Sequence, residues 1–219
     1  LALAVAESIC RHQELHVDQF TIANELATRG RRSVVGTHGY WQGGLIYESG
    51  REVAGTGLNS VHTCVSLPAQ WRAAVLRPTD HEVSVSGEQE REEFAKLLPA
   101  SEESGSELRR LICEEIMPAA KQADFRRFSI STRNYNELSG QLFASVQGGP
   151  YNGPAVTRVI QWLRDFGVLG YGQSSWGPGV FAWFDSQADA DRCIAALPQN
   201  IELLTLTSAR NEPRSIVAS

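Results

Sequence analysis

Hydrophobic residues recur at helical spacing in the C-terminal third of the chain. They occupy positions 156, 159, 160, 163 and 166. Pro154 stands in the first turn of such a helix, so residues 154–166 are predicted to be helical. A run rich in glycine and serine follows over residues 171–179, and the β-branched and aromatic residues 180–184 indicate a buried strand. The pattern therefore predicts a helix, a Gly/Ser turn and a strand in succession.

The Gly/Ser run has two interpretations. Glycine and serine fill ordinary tight connections. However, nine residues are more than a hairpin needs, and glycine lets the backbone approach another group closely because it has no Cβ. A loop that faces a ligand is the favoured interpretation.

The hydrophobic pattern of the remaining chain predicts further helices and strands. Helices are expected over residues 1–12, from Asp18 to a stop at Gly30, and over 88–98, 106–117, 124–143 and 188–197; strands are expected over 71–76 and 201–206. Asp18 and Ser106 are candidate caps, and residues 48–52 are predicted to form a turn. The predicted strands at 180–184 and 201–206 lie on either side of the helix at 188–197 in the sequence, which indicates a split βαβ arrangement on one sheet.

A second glycine-dense element covers residues 31–47 and ends in an apolar strand. Its glycines at positions 36, 39, 43 and 44 indicate close approach of the backbone to a ligand or to another segment. Arg31 and Arg32 lie at its start, where they could hold a phosphate or a carboxylate by charge-assisted hydrogen bonds. A twisted hairpin with a surface arginine pair is an equally good interpretation.

Composition excludes several classes of protein. A formal net charge of −5 argues against a nucleic-acid partner, and no apolar run approaches the length that spans a bilayer. Four scattered cysteines form no CxxC pair and have no nearby histidine at ligand spacing, which argues against a zinc site and favours reduced core thiols in a cytoplasmic protein. Because the sequence opens on Leu1 within a predicted helix, we expect it to be a piece of a longer protein.

Two stretches resemble the β-ribofuranosylaminobenzene 5′-phosphate synthase family of the GHMP-kinase-like superfamily. Residues 31–39 with Gly43, Gly44 and residues 45–46 resemble a segment of the synthase branch, and they are fairly specific for it. Residues 172–182 are similar to the third glycine-rich motif of the whole superfamily. The opening helix resembles the one that follows the superfamily's main phosphate-binding loop, so that loop and the N-terminal strands are expected before Leu1.

The resemblance implies an α+β, two-lobed GHMP-kinase-like fold. Residues 1–77 would be the remainder of the N-terminal lobe. Residues 78–219 would form a ferredoxin-like (split βαβ) C-terminal lobe that carries the glycine-rich motif at 172–179.

The resemblance also implies an activity. The family forms a C-riboside from phosphoribosyl pyrophosphate and 4-aminobenzoate, with loss of pyrophosphate and carbon dioxide, in the biosynthesis of tetrahydromethanopterin-type cofactors. Mg²⁺ is expected to bind with the pyrophosphate, although no ligands are assignable. An ATP-dependent small-molecule kinase is an alternative, and so is a non-catalytic fragment or paralogue that acts as a dimerising module. Whether the chain is active alone, and whether it forms a homodimer, are left open.

Site residues follow from the same resemblance. Residues of the Gly/Ser run would line the phosphoribosyl end, namely Gly172, Ser174, Ser175, Gly177 and Gly179. Across a cleft from them would lie Arg31, Arg32, Ser33, Gly36, Thr37 and Gly39. Arg32 and His38 are the candidate catalytic residues, since an arginine can hold an anion and a histidine changes charge near neutral pH. A structural or exposed histidine is the alternative for His38, and Trp176 could either stack on an aromatic ring or pack in a wall.

Overall fold

A computed structural model of the chain describes residues 1–29, 34–52, 58–80, 97 and 101–216. Contacts divide the chain into two units. The first unit comprises Leu1–Leu67 with Ala209–Ser219, and the second comprises Pro68–Ser208. The division after residue 77 that the family resemblance implies stays a prediction.

In the described residues, the first unit contains three helices and a two-stranded antiparallel sheet. They are α1 (Ala2–His12), α2 (Gln19–Thr21, continued by a π-helical segment, Ile22–Leu26), α3 (Val35–Gln42), β1 (Leu45–Glu52) and β2 (Asn59–Val65). Asp18 caps α2 as predicted, since its carboxylate accepts hydrogen bonds from the backbone N–H groups of Phe20 and Thr21. Leu3, Ala23 and Trp41 are buried together in the core of this unit.

A four-stranded sheet forms the second unit's centre. Its strands are β3 (Arg72–Pro78), β4 (Gly170–Gln173), β5 (Val180–Phe184) and β6 (Ile201–Thr207), in the order β4-β5-β3-β6. Strand β3 is antiparallel to both β5 and β6, so β5 and β6 run parallel on either side of it. The helix that joins them completes the split βαβ arrangement, which confirms the predicted ferredoxin-like architecture.

Helices complete the described part of the second unit. They are α4 (Glu102–Arg110, continued by a π-helical segment, Leu111–Ile116), α5 (Met117–Lys121), α6 (Phe125–Gln141), α7 (Ala144–Gln147), α8 (Gly153–Phe166) and α9 (Gln187–Ala195). Four of the five predicted apolar positions of α8 are buried in the core with sheet residues such as Ala74 and Ala182, whereas Phe166 is exposed. No helix in the described parts of the chain has both the length and the apolar character needed to cross a membrane.

Several local predictions were wrong. Residues 48–52 belong to strand β1 because they pair with β2, which the sequence did not predict. The fourth helix begins at Glu102 rather than near Ser106, since Ser101 caps it by accepting the N–H of Ser104. Cys64 and Cys113 are exposed rather than core thiols. The predicted helix at 88–98 and the stop at Gly30 lie outside the described residues.

Candidate functional site

The Gly/Ser run forms a β-hairpin rather than a single long loop. Its first residues belong to strand β4, and Gln173 pairs with Val180 of β5. Residues 174–179, the hairpin loop, are closed by two backbone hydrogen bonds. The N–H of Ser174 donates to the carbonyl of Gly179 (2.8 Å), and the N–H of Gly177 donates to the carbonyl of Ser174 (2.9 Å).

An asparagine from α6 fixes the start of this loop. The side-chain amide of Asn136 donates to the carbonyl of Gln173 and accepts from its N–H, both at 2.9 Å. Two hydrogen bonds to one residue hold the end of strand β4 in a single position against the helix.

The side-chain amides of Gln173, which is buried, and Asn152, which is half-buried, support the loop from its inner side. The side chain of Gln173 accepts from the N–H of Asn152 (2.6 Å) and donates to the carbonyl of Ser175 (2.8 Å). Asn152 in turn donates to the carbonyl of Trp176 (2.6 Å). Since these bonds use backbone groups on the inner side of the loop, the hydroxyl-bearing side chains of Ser174 and Ser175 are exposed to solvent.

Two loop residues adopt positive φ angles. Gly177 has φ = +68°, which explains a glycine there. Ser175 has φ = +52°, a conformation that non-glycine residues seldom adopt and that is often found at functional sites. The hairpin loop therefore has a defined conformation in which the side chains of Ser174 and Ser175 are exposed.

Gly172 has a packing role that the sequence did not indicate. A Cβ at this position would lie 2.3 Å from Cγ of Asn136 and 2.7 Å from the ring of Phe181. Strand β4 can therefore lie against α6 only if the residue has no side chain. Its predicted contact with a ligand stays a prediction, whereas at Gly179 the nearest atom to a Cβ would be 3.8 Å away.

A pocket of about 190 Å³ adjoins the hairpin loop within the second unit. It is lined by Asn136, Ser139, Gly140, Phe143, Gln147, Pro150, Gln173, Ser175 and Trp176. Sequence reasoning singled out only Ser175 and Trp176. Apart from Gln173 of β4, the other lining residues come from α6 and the segment after it, which carry no motif. Trp176 is 5% exposed and packs edge-to-face on Phe143 with the ring centres 5.1 Å apart.

In the first unit, the predicted site residues Gly36, Thr37, His38 and Gly39 lie in helix α3, not in a loop. Thr37 is buried. Nε2 of His38 lies 2.9 Å from the carbonyl oxygen of Asn59, so Nε2 must carry the proton that forms this bond. The bond joins α3 to β2, which favours a structural role for His38, and its acid–base role stays a prediction.

A carboxylate occupies the N-terminal end of α3. Glu48 accepts a hydrogen bond from the N–H of Val34 (2.9 Å) and another from the side chain of Asn59. Because the positive end of the helix already faces this charge, any further anion there would meet repulsion from Glu48. The predicted anion-binding residues Arg31, Arg32 and Ser33 lie outside the described residues.

Gly43 and Gly44 are crowded by protein. A Cβ on Gly43 would lie 2.7 Å or less from backbone atoms of Arg210 and Glu212, and the N–H of Gly44 donates to the carbonyl of Arg210 (2.7 Å). The sequence allowed close approach of the backbone in this element either to a ligand or to another segment. For Gly43 and Gly44 the structure shows close approach to another segment. A Cβ on Gly36, by contrast, would meet no atom of the described residues within 4 Å.

The candidate residues thus fall into two sets, the hairpin loop in the second unit and α3 in the first. The cleft predicted between the two sets stays a prediction. In the part of the chain that the structure describes, no group of three or more His, Cys, Asp or Glu residues could hold a metal ion, so Mg²⁺ stays an expectation.

Comparisons with known proteins show which protein families the chain resembles. Residues 116–203 match the model of the GHMP kinase C-terminal domain. Homoserine kinase from Cytophaga hutchinsonii has a similar structure (TM-score 0.60, 15% identity, 96% of this chain and 64% of that chain). Mevalonate diphosphate decarboxylase from Staphylococcus aureus also has a similar structure (TM-score 0.63, 12% identity, 99% of this chain and 66% of that chain). At these identities the structures show the fold alone, and that fold is the GHMP one. The family match itself covers less than half of the chain.

The chain is also similar to a synthase. It is 28% identical over 201 residues to β-ribofuranosylphenol 5′-phosphate synthase from Methanothermobacter thermautotrophicus. The match covers 85% of this chain and 58% of the relative. The resemblance drawn from the sequence is thereby confirmed, and the chain spans less than two thirds of this relative's length.

Proposed function

We propose that the protein containing this chain is a phosphoribosyl-transferring, decarboxylating synthase. It would join phosphoribosyl pyrophosphate to 4-aminobenzoate and release pyrophosphate and carbon dioxide. The observation that carries the proposal is the similarity to a synthase of a ribofuranosylphenol phosphate over 85% of the chain. The product would enter the synthesis of tetrahydromethanopterin-type one-carbon carriers.

The reaction balances without an external acid or base. The bond between the anomeric carbon and pyrophosphate breaks, and pyrophosphate leaves with the electron pair. A bond then forms from the anomeric carbon to the ring carbon that bears the carboxylate. The bond to the carboxylate breaks, carbon dioxide leaves, and its electron pair restores the aromatic ring. Because no proton has to move, the proposal does not depend on His38 acting as a base.

The chain's own contribution would be positioning and charge stabilisation. The exposed Ser174 and Ser175, on a loop held by side-chain amides, are suited to donate hydrogen bonds to the phosphoribosyl group. Mg²⁺, when bound, would neutralise the leaving pyrophosphate. A cytoplasmic location is a further expectation of this proposal, which is compatible with a homodimer.

The relative's name favours a second acceptor. Its product is a ribofuranosylphenol, which by the same bond changes would arise from 4-hydroxybenzoate. Hydroxyl and amino groups both supply electrons to the para carbon, so either acid suits the chemistry. Assays of the two acids side by side would decide which one this protein uses.

Turnover assays test the proposal against the kinase alternative. The complete gene product is incubated with phosphoribosyl pyrophosphate and each aromatic acid, and separately with ATP and candidate alcohols. Formation of the C-riboside with a loss of at least tenfold in kcat/KM for Ser175→Ala would support the synthase and its loop. Phosphorylation of an alcohol without C-riboside formation would refute the proposal. Arg32→Ala tests the predicted role of that arginine in the same assay.

A further inference from the structure

The pocket beside the hairpin loop is neutral. Among the described residues that line it, none carries a charged side chain. Its lining residues include Ser175 of the hairpin loop and, in the last turn of α6, Ser139 and Gly140. All of these residues belong to the second unit.

The pocket has the size and walls for one aromatic ring. A protein cavity of about 150 Å³ can bind benzene, and sites for larger ligands usually exceed about 300 Å³. At about 190 Å³ this pocket suits a ring with one small substituent and is too small for phosphoribosyl pyrophosphate. Trp176 and Phe143 offer aromatic faces and edges, which are preferred partners for another ring.

The electrostatic environment of the pocket determines which chemical group of a ligand it favours. Helix α6 is 17 residues long, and its C-terminal end, which carries partial negative charge, borders the pocket through Ser139 and Gly140. With no cation among the described lining residues, a carboxylate or a phosphate would be disfavoured there. An uncharged group that donates a hydrogen bond would be favoured.

We propose that this pocket binds the aromatic acceptor with its uncharged para substituent inward and its carboxylate-bearing carbon at the mouth. The inference rests on the proposed function. An amino or hydroxyl group would lie against the end of α6, and the ring would lie against Phe143 and Trp176. The reacting carbon, at the opposite end of the ring, would then emerge beside the exposed Ser175, on the loop assigned to the phosphoribosyl group.

A matched pair of variants tests this arrangement in the complete gene product. Ser139→Leu fills the pocket from a helical position where leucine is well tolerated. Ser145→Leu makes the same change at an exposed position of α7 that does not line the pocket. Equilibrium dialysis then measures the dissociation constants of 4-aminobenzoate, of 4-hydroxybenzoate and of unsubstituted benzoate, independently of turnover.

We expect Ser139→Leu to raise the dissociation constants of both substituted acids at least tenfold, with KM for phosphoribosyl pyrophosphate changed less than twofold. Ser145→Leu should change neither, and wild-type protein should bind benzoate at least tenfold more weakly than 4-aminobenzoate. If Ser139→Leu yields no folded protein, Ser139→Met makes the same test with an unbranched side chain.

The possible results separate the two proposals. Normal acid binding and turnover by folded Ser139→Leu would overturn the pocket assignment and leave the synthase intact. Equal weakening by Ser139→Leu and Ser145→Leu would also overturn it, because the effect would not be local. Acid binding that depends on Ser139, in a protein that forms no C-riboside, would contradict the proposed function while supporting the pocket.

Discussion

Glu7 of α1 is the most strongly perturbed buried charge described in the first unit. Its carboxylate accepts hydrogen bonds from Arg214 (3.0 Å from Nε), from the hydroxyl of Tyr40 (2.9 Å) and from Arg11 (3.1 Å). Chiefly because of Arg214, and against the effect of burial, the pKa of Glu7 falls from 4.5 to about 2. This carboxylate ties α1, α3 and the C-terminal segment together.

Glu7→Gln should therefore destabilise the protein in a pH-dependent way. A lowered pKa in the folded state means that ionised Glu7 stabilises fully above pH 4.5, and this contribution is lost as the pH falls towards 2. We expect a loss of about 2 kcal/mol at pH 7, from denaturant unfolding, and a much smaller difference near pH 3. Glu25→Gln, at an exposed position, is the control. An equal loss at both pH values would contradict the assigned charge interaction.

Gly36 offers a second test at the scale of one residue. Glycine is unfavourable within a helix, and the described surroundings give Gly36 no steric reason to lack a side chain. Gly36→Ala should leave stability unchanged or raise it by about 0.5–1 kcal/mol, while kcat/KM falls at least tenfold if the backbone of α3 approaches a substrate.

Gly105→Ala is the matched control for Gly36→Ala. Gly105 is also helical, and a Cβ there would likewise meet no described atom within 4 Å. It should affect stability similarly and leave activity unchanged. Full activity of Gly36→Ala would remove Gly36 from the predicted site.

At the scale of elements, the hairpin depends on α6. Asn136→Ala would leave the N–H and carbonyl of Gln173 without the partner that holds them. We expect a loss of about 2 kcal/mol in unfolding free energy and at least a tenfold fall in kcat/KM, because the hairpin loop would lose its fixed position. Asn134→Ala, exposed on the same helix, should change stability by less than about 0.5 kcal/mol. If the two variants behave alike, the amide is not what positions the loop.

Local pattern predicts some of these elements well. The long amphipathic helices α6 and α8, and the strands β5 and β6, follow from the spacing of apolar residues within each segment. Strand β2 and the end of β1 could not be predicted in this way, since their pairing spans residues distant in sequence, such as Leu45 with Val65. Helix α3 has no apolar periodicity, and the carboxylate at its start comes from Glu48, beyond its own end.

Only part of the candidate site could be predicted from the sequence. The glycine and serine content located the hairpin loop, because the residues that favour a turn lie within the turn itself. Apart from Gln173, the side-chain amides that hold the loop and the pocket beside it are contributed by α6 and by residues 143–152, and no local signal links these to the loop. The packing reason for Gly172 likewise appears only once Asn136 is placed against it.

For the whole molecule, the C-terminal segment completes the first unit. Asn211 donates to the carbonyl of Leu67 (2.8 Å) and accepts from its N–H (2.9 Å), and the N–H of Arg214 donates to the carbonyl of Tyr40 (3.0 Å). Residues far apart in sequence thus share one unit, while the matched C-terminal domain lies in the other.

Release of carbon dioxide tests the central claim most directly. The complete gene product is incubated with phosphoribosyl pyrophosphate and 4-aminobenzoate, or 4-hydroxybenzoate, labelled at the carboxyl carbon. We predict labelled carbon dioxide, pyrophosphate and C-riboside in equal amounts, dependent on phosphoribosyl pyrophosphate and unaffected by the absence of ATP. Retention of the label in the aromatic acid, together with ATP-dependent phosphorylation of a small alcohol, would contradict the assignment as a synthase.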